Sequence, residues 1–167
     1  KLALQVAHEA VQMAAVPLPQ IAAVFASAWG DLEIMDRILT ALAQPERLVS
    51  PTHFHNSVHN AAAGYWSIGT STPRAVAAVA ADQVTFSAGL LEAATLAATE
   101  GGTALQLAYD VTPPPLLQSV GAVTQPFAAA LLLSAEPARD SLALDLELQR
   151  GSPAAMRDSA SDARASN

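Results

Sequence analysis

The sequence predicts an α/β domain built as a layered mixed β-sheet with helices. Three observations carry that expectation. Amphipathic stretches alternate with short continuous apolar runs along most of the chain. Of the 167 residues, 51% are apolar and 14% charged, enough for one domain with a real core and too apolar for wholesale disorder. Alanine supplies 38 residues while aromatics make up 5%, which suits helices lying close on a sheet better than a core of large rings.

The elements follow in order. Residues 2–15 read as a helix, with Leu4, Ala7, Val11 and Ala14 at helical spacing and Pro17 and Pro19 ending it. Residues 21–28 are an apolar run of strand length. Trp29-Gly30 turns the chain, and Asp31 is placed to cap a helix over 32–43, closed by Pro45. After a loop at 45–52, residues 55–68 read as one alanine-rich helix, and Thr70 to Pro73 as a turn. Residues 75–81 (AVAAVAA) read as a strand buried on both faces. Asp82 is placed to cap a helix over 84–99, followed by Gly101-Gly102 and a strand over 103–109. Pro113-Pro114-Pro115 puts a loop at 112–126. Residues 127–134 and 141–149 read as two strands of an antiparallel hairpin. In the second, Leu142, Leu144, Leu146 and Leu148 alternate with Asp145, Glu147 and Gln149. The domain is thus expected over 1–150, with a polar mobile tail at 151–167. The chain opens at Lys1 without Met, inside a helical pattern, so the native sequence is expected to begin upstream.

Composition excludes several functions. The net charge is -7, with only eight Lys and Arg spread along the chain, so no basic stripe exists for nucleic acid. No apolar run is long enough to cross a bilayer. Cysteine is absent, which removes disulfides and any thiol nucleophile and fits a cytoplasmic protein. No Gly-x-Ser-x-Gly frames Ser27, Ser57, Ser67 or Ser87, and no Walker or dinucleotide loop occurs. Three of the four histidines cluster as His53, His55 and His59. Imidazoles suit zinc, so a metal-dependent hydrolase is one reading. Yet His53 and His55 share a side only in an extended chain, and His55 and His59 only in a helix.

A family resemblance runs through the middle of the chain. Ser50-Pro51, then Asn60-Ala61-Ala62-Ala63-Gly64, then Ile68, followed by a strand and a long helix, resemble the N-terminal half of β-ketoacyl-acyl-carrier-protein synthases, which have the thiolase fold. Condensing members carry a cysteine at the start of that long helix. Counting without gaps from these motifs places Gln83 there, and glutamine cannot accept an acyl group as a nucleophile. The family's catalytic histidines belong to its C-terminal half, which this sequence does not include. The chain therefore resembles a chain length factor, the non-condensing partner of a ketosynthase. The wording of residues 54–60 with Ala63-Gly64-Tyr65-Trp66 is similar to the type found with aryl polyene pigment biosynthesis.

The resemblance implies a heterodimer with a ketosynthase, reaching an acyl carrier protein through that complex, with no cofactor and no metal. It implies that His53, Phe54, His55, Ser57 and Val58 reach across the interface toward the end of the partner's substrate tunnel. It implies that the strand carrying Val76 and Val79 pairs with its counterpart in the partner. Gln83 either assists malonyl decarboxylation through its amide or only fills the vacated site. A scaffolding homodimer is the remaining alternative.

Overall fold

A computed structural model describes residues 1–119, 123–137 and 141–147. The chain divides into two units, Lys1–Glu136 and Pro137–Asn167. In the first, α1 (Leu2–Ala14) leads to β1 (Ile21–Ala26), α2 (Leu32–Ala43), α3 (Pro51–Asn56), α4 (Ala61–Thr70), β2 (Val76–Val79), α5 (Thr85–Glu100), β3 (Thr103–Asp110) and β4 (Phe127–Ser134). The sheet order is β2-β1-β3-β4. β1 pairs in parallel with both β2 and β3, and β4 runs antiparallel to β3. The expected mixed α/β architecture is therefore the observed one.

Strand β1 is buried at all six positions, as a central strand covered on both faces must be. On one face, Ile21, Ala23 and Phe25 join Leu105 and Leu107 of β3 under Ala3, Ala7 and Val11 of α1 and Ala63 and Trp66 of α4. Phe25 meets Trp66 and Tyr109 with ring centroids 6.0 and 6.4 Å apart, tilted and edge-on. On the other face, Ala22, Val24 and Ala104 pack against Ala93 and Ala97 of α5. The buried positions of α5 are Thr85, Gly89, Ala93 and Ala97, every fourth residue and all small, so the helix lies close to the sheet. A Cβ on Gly89 would fall 2.7 Å from Ala26 Cβ.

The start and end of α2 match the expectation. Asp31 caps it by accepting from the Ile34 amide at 3.1 Å, and Arg37 pairs with Glu33 on its surface.

Several expectations are corrected. The helix expected over 55–68 is two helices. Ser50 caps α3 through the His53 amide, and the chain breaks at Ser57–Asn60 before α4 begins. Asp82 caps nothing with its side chain. It sits at φ 49° in a short 3-10 turn over Asp82–Val84. The Thr85 hydroxyl does not cap the helix but ties this turn to it, accepting from the Ala81 amide and donating to the Asp82 carbonyl. Strand β2 is half-buried at each position rather than buried on both faces, because it lies at the sheet's edge. The hairpin is not observed. Residues 141–147 carry no strand, and Leu142 is 93% exposed, while β4 takes β3 as its partner. Residues 148 and 149 of that expected strand, and the expected tail at 151–167, lie outside the described residues.

No helix among the described residues is long and apolar enough to cross a membrane.

Candidate functional site

The three parallel strands end on the same side of the sheet, the side on which α/β proteins assemble their sites. At the end of β1 the chain must turn sharply, and Gly30 takes φ +66° to do so. Asp110, the last residue of β3, holds this turn. Its carboxylate accepts from the Ser27 hydroxyl at 2.7 Å, the Ala28 amide at 3.2 Å and the Trp29 amide at 3.3 Å. The Ser27 oxygen in turn accepts from the Gly30 amide at 2.9 Å. Tyr109 beside it has its phenol pushed up to about 12 by burial, then by the charges of Asp110 and Asp31.

His59 is drawn into the same turn. Its Nε2 bonds the Ser27 carbonyl oxygen at 2.8 Å. One ring nitrogen is thereby committed to a backbone carbonyl of the turn after β1, while His53 and His55 stand on α3. Among the described residues no group of three or more His, Cys, Asp or Glu is placed to hold a metal ion. The zinc-hydrolase reading of His53, His55 and His59 therefore loses its geometric basis. Ser27 is no activated nucleophile either. Its hydroxyl points to a carboxylate, and the nearby imidazole bonds its carbonyl rather than its hydroxyl.

Gln83 lies in the exposed turn between β2 and α5, next to the left-handed Asp82. It therefore stands before the first turn of a 16-residue helix, where aligned peptide dipoles favour negative charge.

The residues expected at a partner surface come together in part. Phe54, His55 and Val58 line an open groove of about 400 Å³ with Asn60, Ala61, Gly64, Tyr65 and Ile68. Phe54 is 69% and Ile68 78% exposed. A second groove, of about 500 Å³, runs from Asn60 and Gly64 past Ser67 and Arg74 to Val76 and Ala78 on β2. The two share Asn60 and Gly64, so α3, the exposed side of α4 and the edge of β2 form one continuous surface. His53 and Ser57 are half-buried beside the first groove. The Ser57 hydroxyl donates to the Phe54 carbonyl. Val76 and Val79 take opposite faces of the sheet. Val76 packs on the α1 and α4 side, and Val79 on the α5 side.

Sequence reasoning missed Tyr65 and Ile68, which the α4 pattern placed on a helix without saying which side stays bare. It also missed Asp110, whose partners lie more than 80 residues away.

The open edge of β2 has a definite register. The Ala75 and Val79 carbonyls accept from the Ala23 and Ser27 amides of the β1 side. In a parallel ladder such bonds recur at alternate residues, so Val76 and Ala78 direct their peptide groups away from the sheet.

The model for the β-ketoacyl synthase N-terminal domain matches residues 1–167. A chain in the complex of a ketosynthase (ApeO) with its chain length factor (ApeC) from Xenorhabdus doucetiae superposes with a TM-score of 0.70 at 33% identity. The match covers 80% of this chain and 55% of that one. The ishigamide ketosynthase/chain length factor matches with a TM-score of 0.60 at 16% identity, over 72% of this chain and 37% of that one, a likeness of fold. This chain thus spans about half the length of its solved relatives or less. Curated protein sequences give no match. The chain belongs to the β-ketoacyl synthase N-terminal domain family.

Proposed function

We propose that this β-ketoacyl synthase-family chain is a non-condensing subunit, a chain length factor that pairs with a ketosynthase and closes the end of its substrate tunnel. The observation that carries the reading is Gln83. It stands in the turn into α5, where the resemblance expects the acyl-accepting cysteine, in a sequence without any cysteine. A thiolate there would be stabilised by the helix N-terminus. An amide gains no such nucleophilicity, so the chain cannot carry an acyl group at this position. The similarity to a chain length factor complex supports the same partner class.

The continuous surface of α3, α4 and the β2 edge suits this role. An open strand edge offers unpaired peptide groups to another strand, here at Val76 and Ala78. The apolar groove beside it presents Phe54 and Val58 to whatever lies across the interface. A growing acyl chain is stopped when another two carbons would overpack a closed tunnel, a cost of about 1–3 kcal/mol. His53, His55 and Ser57 complete the rim of that stop. In this reading the acyl carrier protein serves the complex, and the chain does not catalyse condensation alone.

Co-expression with ketosynthases encoded in the same gene neighbourhood tests the proposal. The expected result is a one-to-one heterodimer when a tag on this chain is pulled and the eluate weighed. Elution of this chain alone, folded and unaccompanied, would refute it and favour a scaffolding homodimer.

A further inference from the structure

Gln106 is a polar side chain in the middle of the row of β3 that faces α5, with Ala104 and Ala108 before and after it and Ala22, Val24 and Ala26 across on β1. It is 1% exposed. Its Nε2 donates to the Phe86 carbonyl at 2.9 Å, and its Oε1 is buried without a hydrogen-bond partner among the described residues. An apolar residue would fill the same space without leaving an acceptor unsatisfied, which is costly in a core. The retained amide is therefore explained by the bond it makes.

That bond lands on the second residue of α5, three positions after Gln83. Two further contacts fix the same stretch. Gly89 lets the helix approach so closely that a Cβ there would stand 2.7 Å from Ala26 Cβ and 3.4 Å from Gln106 Nε2. The Thr85 hydroxyl, at 2.9 Å from the Ala81 amide and 2.6 Å from the Asp82 carbonyl, ties the left-handed turn to the first turn of the helix. A connected path thus runs from the middle of β3 through Phe86 and Thr85 to Asp82 and Gln83.

We propose that Gln106 is a positioning residue that holds the first turn of α5 on the sheet and thereby sets where the Gln83 side chain stands. The functional weight of this inference rests on the proposed subunit role and on the decarboxylating alternative that the resemblance implies for Gln83.

The test is Gln106→Met, which keeps the length and volume and removes the amide, with Gln106→Leu as a second substitution. Leu107→Met, on the opposite face of β3, is the control. Hydrogen exchange is followed by mass spectrometry on the full chain. Loss of one hydrogen bond should speed exchange at residues 83–86 about fivefold, with residues 3–11 of α1 unchanged. The control should leave residues 83–86 as they were. Unchanged exchange at 83–86 in both Gln106 variants, or an equal rise throughout the chain, overturns the inference.

Malonyl decarboxylation by the complex with the ketosynthase then separates the two levels. A fall that follows the exchange rate supports both. Faster exchange with unchanged decarboxylation upholds the positioning by Gln106 and refutes a chemical role for Gln83.

Discussion

Ala78→Pro would probe the edge proposed to meet a partner while leaving the chain's own sheet intact. Val76 and Ala78 direct their peptide groups outward, so β2 offers two N–H and two C=O groups to a neighbouring strand. At about 1 kcal/mol net for each hydrogen bond, such an edge contributes at most about 4 kcal/mol to association. Proline at 78 deletes one donor, and its ring obstructs a strand drawing alongside. The expected loss is about 2–3 kcal/mol, a weakening of about 30- to 150-fold in Kd. Because the bonds to β1 run through residues 75, 77 and 79, the melting temperature of the isolated chain should fall by only a few degrees. Ala77→Pro is the contrast, since it removes a bond to β1 and should unfold the edge of the sheet itself. Titration calorimetry against the purified ketosynthase reads the affinity, and circular dichroism the stability. An unchanged Kd for Ala78→Pro, with the fold intact, would refute strand pairing at β2.

Four more outcomes follow, the first from the proposed role and the others from the geometry. Phe54→Ala should lengthen the product of the complex by at least one two-carbon unit, read by mass spectrometry of released chains, and an unchanged distribution removes Phe54 from the tunnel's end. Asp110→Asn turns one of its acceptor oxygens into a donor facing the turn's own donors, and should cost about 1–3 kcal/mol in urea unfolding. Gly89→Ala forces Cβ against Ala26 and should cost a similar 1–3 kcal/mol through overpacking. Ultraviolet titration should show one tyrosine ionising near pH 12. Tyr109 loses its proton more readily in the unfolded chain, whose phenol titrates near 10. Stability should therefore fall as pH rises from about 10 through 12, and Tyr109→Phe should remove that part of the fall.

Where the sequence read correctly, the signal was local. The helix over Leu32–Ala43 and the strand over Phe127–Ser134 have their expected ends, since Asp31, Pro45 and the flanking turn residues mark them within a few positions. The failures were not local. Residues 141–147 alternate well enough to be a strand, but alternation defines two faces and says nothing about which edge is free to pair. The break at Ser57–Asn60 has no glycine or proline. It coincides with the Ser57 hydroxyl turning back on Phe54 and with His59 bonding a carbonyl 32 residues earlier. The resemblance led to Gln83 and to the α3 segment, whereas Gln106 and Asp110 emerged only once strands distant in sequence lay side by side.

The break between α3 and α4 has a consequence for the proposed role in chain length. At six residues, α3 is far shorter than a helix that persists by itself in water. It is held at its start by the Ser50 cap and at its end by the Tyr65 hydroxyl donating to Asn56 at 2.7 Å, and none of its residues is buried. Phe54 and His55 therefore ride on a piece whose shape is completed by what packs on it. If this segment is the stop for a growing acyl chain, its stiffness belongs to the assembled pair rather than to either subunit. Exchanging the ketosynthase for a near relative would then shift product length without any change in this sequence.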